Sequence, residues 1–159
     1  MKTNKPASKY SNSSSEYQRQ VEHLLFQKFC ELLQDNTLIS NPVLALTPDS
    51  PTCIKPDIFS DEHRIIGEIH VHAGRLIGSQ SDKVAGDILK MLLYDKIRQC
   101  TFKKYYIVCD KEEYTQLTGK SSLAEAIRQF DITVLYFELD EVIHNQIVQT
   151  MQKQNLINK

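Results

Sequence analysis

The stretch "KPDIFSDEHRIIGEIHVH", residues 55–72, holds four side chains whose types and spacing could do chemistry: Asp57, Glu68, His70 and His72. Successive strand residues point to opposite faces. An extended "RIIGEIHVH" therefore places Glu68, His70 and His72 on one side with Ile66, and Ile65, Ile69 and Val71 on the other. Asp57 and Glu68 are 11 residues apart, with a polar turn between them. Carboxylates so spaced can meet from adjacent strands on a hard divalent cation such as magnesium, which prefers oxygen ligands. Such a cluster can polarise a phosphodiester, activate water and neutralise charge on the leaving oxygen. A rival chemistry uses His70-x-His72, two imidazoles on one face in a zinc-like arrangement that Glu68 or Asp57 could complete. His23, His63 and His144 are dispersed and supply no third histidine at a recognisable ligand spacing, so zinc ranks second.

These residues must be positioned by the elements around them. Val21, Leu24, Leu25, Phe29, Leu32 and Leu33 recur at helical spacing and predict a first helix over about 14–34. Four prolines, at 42, 48, 51 and 56, then break the chain into short extended pieces, with "VLAL" and "KPDIF" as strand candidates. "RIIGEIHVHA" is the clearest strand. A helix follows from near Asp82, capped by Ser81 or Asp82, with Val84, Ile88, Met91 and Leu92 as its apolar stripe and Lys83, Asp87, Lys90 and Tyr94 on a more polar side. "KKYYIVCD" predicts a central strand, and Asp110 a cap for the short helix "KEEYTQL". Ser122 and Glu125 form a capping box for a helix to about Phe130. "ITVLYFEL" is a last strand, and Asp140 caps a final helix carrying Val142, Ile143, Ile147 and Met151. The expected fold is α/β, a mixed central sheet flanked by helices: an early meander of closely spaced strands, then strands paired in parallel through helical crossovers.

Composition narrows the class. A chain of 159 residues with 41% hydrophobic and 25% charged residues suits one globular domain, expected over 15–159 after a flexible leader over 1–14. No apolar run approaches a membrane span, and residues 1–17 lack the apolar core of a secretory signal. Four scattered cysteines without a Cys-x-x-Cys pair suit buried thiols in a reducing cytoplasm. A net charge of −1 weakens any claim to strong nonspecific nucleic-acid binding, which draws on a basic footprint.

Pro56-Asp57 followed by Glu68-Ile69-His70 resembles the signature of the PD-(D/E)xK nuclease superfamily, with histidine in the lysine position. The predicted element order is similar to that family's restriction-endonuclease-like αβββαβ core over most of residues 16–139. The resemblance implies a magnesium- or manganese-dependent nuclease acting on DNA, with Asp57 and Glu68 as metal ligands. It implies an assisting acid on the first helix, for which Glu22 is preferred to Glu16, and a glutamine near the following helix, Gln80. The motif lysine's work of positioning or activating water would fall to His70, or to Lys83 reaching the same space. A small domain cutting both strands of a duplex would also need a second copy or a protein partner. The rival class is a catalytically degenerate interaction module on the same fold, favoured by the missing lysine and the near-neutral charge.

Overall fold

The computed structural model describes residues 14–49 and 51–157, so most of the predicted leader lies outside the described residues. In chain order the elements are α1 (Ser14–Leu33), β1 (Ile39–Ser40), β2 (Leu44–Ala45), β3 (Cys53–Ile54), β4 (Ile58–Ser60), β5 (Ile65–His70), α2 (Ser79–Arg98), β6 (Lys103–Val108), α3 (Lys111–Leu117), α4 (Ser122–Gln129), β7 (Ile132–Tyr136) and α5 (Glu141–Ile157). Five strands form one mixed sheet in the order β1-β4-β5-β6-β7. β1, β4 and β5 pair antiparallel as a meander, and β5, β6 and β7 pair in parallel. No described helix is long and apolar enough to cross a membrane.

The sheet divides two hydrophobic layers. On one face Ile66, Tyr106 and Val108 pack with Val84, Ile88 and Met91 of α2, Leu117 of α3 and Ile127 of α4. On the other, Ile65, Ile69 and Ile107 pack with Val21, Leu25 and Phe29 of α1 and Ile147 of α5. All six residues of β5 are buried, as a strand covered on both faces requires.

Several local expectations are corrected. "VLAL" does not open the meander: Leu44 and Ala45 pair with Cys53 and Ile54 in a separate two-stranded sheet, and Ile39–Ser40 supplies the edge strand instead. α2 begins at Ser79, three residues before Asp82, and its cap residue Gly78 adopts a positive φ of 55° with no side-chain cap. Neither Ser81 nor Asp82 caps it. Tyr94 leaves the polar side of that helix and is buried, its ring edge-on to Phe59. Ser121, not Ser122, caps α4 by accepting from the Ala124 amide, while Glu125 pairs with Arg128. Of the cysteines only Cys109 is fully buried, and Cys53 is exposed. Asp110 does cap α3, accepting from the Glu112 and Glu113 amides.

Gly67 lies at the centre of β5 because the backbone of β6 and the side chain of β4 leave no room for more. A Cβ there would meet the Tyr105 carbonyl oxygen at 3.1 Å and the Ile58 side chain at 3.3 Å. Gly67→Ala should therefore lower stability in urea unfolding by about 1–3 kcal/mol, the usual cost of overpacking. An unchanged midpoint would show that the three strands can separate without loss.

Candidate active site

The register of the β4–β5 hairpin builds the site. Ile58 lies opposite Gly67 and Phe59 opposite Ile66; one further step along the same antiparallel register sets Asp57 across from Glu68. Asp57 is fastened there twice. Its carbonyl oxygen accepts from the Asn41 amide, and its Oδ2 accepts from the Ile69 amide at 2.7 Å, standing in for a ladder carbonyl at the strand end. Its side chain borders a small cleft shared with Glu22 of α1, Ser40 and Asn41. Glu22 borders the same cleft as Asp57, and its carboxyl is raised above the usual range by burial and then by the Asp57 charge.

Glu68 is only 3% exposed. Burial, followed by the facing Asp57 charge, pushes its carboxyl up to about 9 against the opposing pull of Lys90. Lys90 of α2 puts its Nζ 2.8 Å from Glu68 Oε1. The approach is poorly directed for a hydrogen bond, so the buried oxygen has an ionic neighbour and no well-aligned donor. Burial alone would lower the Lys90 ammonium, but Glu68 and Asp87 outweigh it and hold the group above its ordinary value. Asp87, 3.6 Å from Lys90, keeps that charge partnered even when Glu68 holds a proton. Asp87 also takes Lys83 at 3.1 Å and accepts from the Tyr106 hydroxyl at 3.3 Å.

The other candidates sit elsewhere. His70 turns toward α3, with its Nδ1 2.5 Å from Glu113 Oε1 and both side chains almost wholly buried. Its ring stacks on His72 with centroids 5.3 Å apart, and burial lowers the His72 imidazole below its usual value. Lys83 is half-exposed and engaged with Asp87. Gln80 lies in the first turn of α2, where its Oε1 accepts from the Ile77 amide and closes the loop locally. Lys90 is therefore the cation at the carboxylate pair. Its spacing with Lys83 and Asp87, on one face of a helix at i, i+4 and i+7, was visible in the sequence, but nothing there shows which of the two lysines meets β5.

No group of three or more His, Cys, Asp or Glu side chains among the described residues is arranged to hold a metal ion. Magnesium keeps several waters and is held through one or two carboxylates, so Asp57 and Glu68, with an undirected buried oxygen between them and Lys90, are donors of the right kind. Zinc sites draw three or four protein ligands, and His70 already gives its Nδ1 to Glu113.

A carboxyl whose pKa is 4.5 when free and about 9 when folded binds its proton more tightly in the native state. The stability it adds is full at low pH and is lost as pH rises through that window. The metal-free protein should therefore melt at progressively lower temperature from about pH 5 to pH 9, and Glu68→Gln, which mimics the protonated form, should flatten the slope. A wild-type melting temperature that rises in parallel with the variant's would contradict this. Separately, His70→Leu strands a buried carboxyl and should destabilise by about 3–5 kcal/mol, whereas His70→Leu with Glu113→Leu should recover most of the loss. Chemical denaturation of the two variants checks it.

Compared with known proteins, the chain matches no family model, no curated protein and no solved structure.

Proposed function

We propose that the chain is a divalent-metal-dependent nuclease of the PD-(D/E)xK kind, hydrolysing phosphodiester bonds in DNA. The observation that carries the reading is the pairing of Asp57 across from Glu68 on a β4–β5 hairpin, with the Lys90 ammonium 2.8 Å from Glu68. The mixed sheet, the meander leading into it and the flanking helices match the element order of that superfamily's core. Lys90, reaching in from α2, replaces the lysine that the strand lacks.

A magnesium or manganese ion at Asp57 and Glu68 would neutralise charge on the scissile phosphate and make its bound water more acidic. The chain's own residues do the rest. Asp57, fixed by the Ile69 amide, presents one carboxylate oxygen to the cleft. Lys90 stays protonated, so it acts as a fixed positive charge that orients the attacking water or a phosphate oxygen and takes no proton. Lys83 and Arg19 lie at the exposed margin, where they can meet flanking phosphates. The contact of His70 with Glu113 supports a positioning part for His70 in this reading, with Lys90 beside the carboxylates.

The test is cleavage of single- and double-stranded DNA by purified protein with magnesium or manganese. Glu68→Ala should abolish metal-dependent cutting with the fold retained. Lys90→Ala should lower the rate by about 10²-fold or more, and Lys83→Ala by a few-fold at most. Equal activity in the two lysine variants would remove Lys90 from the mechanism. A wild type that never cuts, with metal binding intact or not, would favour the interaction module, and stoichiometric zinc in the purified protein would favour the His70-x-His72 rival.

A further inference from the structure

A crevice of about 980 Å³ opens at the carboxyl ends of β6 and β7, away from the Asp57–Glu68 pair. The two strands are parallel neighbours, yet the chain leaves them toward opposite faces of the sheet. β6 leads to α3, whose Leu117 packs in the layer of α2, and β7 leads to α5, whose Ile147 packs in the layer of α1. In open α/β sheets this divergence of adjacent strands is where the connections part and ligands are received. Asp110, at the end of β6 with only 7% of its side chain exposed, reaches across the opening to His144 of α5 at 2.9 Å and fixes the floor. Burial would raise the Asp110 carboxyl, but hydrogen bonds from the Gly74 amide, His144 and the α3 amides outweigh it and hold it ionised.

The lining carries both signs of charge, three cations against the carboxylates of Asp110, Glu112, Glu138 and Glu141. Arg75, Lys111 and Lys120 are exposed on its walls, and their charged groups make no ion pair or hydrogen bond with any described residue. Tyr136, the last residue of β7, is half-buried with its ring tilted against Tyr114, and it lines the same space. Glu112, Glu138 and Glu141 are exposed acceptors there. Unpaired cations suit a phosphate, an aromatic face suits a planar base, and a carboxylate accepts from sugar hydroxyls. We propose that this crevice binds a free nucleoside phosphate, with the base against Tyr136 and the phosphate held by Lys111, Lys120 and Arg75. The proposal rests on no part of the nuclease reading.

Calorimetric titration of the full chain with AMP, ADP, adenosine and inorganic phosphate tests it. EDTA is included so that the carboxylate pair cannot recruit phosphate through a metal. Saturable binding of AMP or ADP is expected. The exposed double variant Lys111→Ala/Lys120→Ala should weaken it by about tenfold or more, the order of losing a charge-assisted hydrogen bond. Tyr136→Leu should weaken AMP and adenosine while leaving inorganic phosphate unchanged. No heat from AMP or ADP at about 10 mM, well above the range of specific ligand affinities, would overturn the proposal. So would nucleotide binding that the lysine variant leaves unaltered while its melting curve stays native.

Discussion

Removing the Glu68 carboxyl from water costs several kcal/mol unless a counter-charge or a proton goes with it. β5 is the central strand of the five and is buried along its whole length, and Glu68 lies within it. The surrounding arrangement answers this constraint. α2 carries Lys90 to the carboxyl, Asp87 steadies Lys90, and the Tyr106 hydroxyl and Lys83 share Asp87. Take away the buried acid and there is no reason for this helix to bring Lys90 and Asp87 toward the sheet beside its apolar stripe. Replacing the whole cluster by apolar residues would by general experience be neutral or stabilising, so its presence argues for use more than for stability.

The two faces of the sheet differ in the same sense. Toward α2 and α3 lie three contacts between ionisable side chains, Glu68 with Lys90, His70 with Glu113 and Lys104 with Asp95, the last on the strand neighbouring β5. Toward α1 and α5 the contacts of Ile65, Ile69 and Ile107 are apolar. A polar layer on one side needs fixed geometry, because each charge is costly without its partner. The dry layer on the other side is more tolerant of volume-conserving exchange.

Much of this was legible in the residues. Period-two alternation in "RIIGEIHVH" identified β5 and separated Glu68 and His70 from Ile65 and Ile69, and the wide apolar stripes identified α1, α2 and α5. Short-range signals did less well. The pairing of Leu44 with Ile54 instead of with the main sheet depends on a chain path through two prolines, Pro48 and Pro51, and the start of α2 at Ser79 depends on a glycine with positive φ that no capping rule anticipates. The site was legible in its strand half, where spacing alone sets Asp57 against Glu68. The role of Lys90 was not, because helical periodicity orders Lys83, Asp87 and Lys90 on a face without saying how far along the sheet that face is placed. The engagement of His70 was hidden for the same reason: Glu113 lies 43 residues away and meets it only through the packing of α3.

The cluster around Glu68 has a further property that lies in the order of the chain. Asp57, Glu68, Asp87, Lys90 and Tyr106 all come from one uninterrupted run, β4 through β6, and only Glu22 is contributed from outside it. Closing such a run costs little loop entropy, since each doubling of a loop adds only about 0.6 kcal/mol. The charged cluster is thus local in sequence, whereas the cleft beside Asp57 is walled by α1 and by Ser40 and Asn41, so the two sides of Asp57 are built from different parts of the chain.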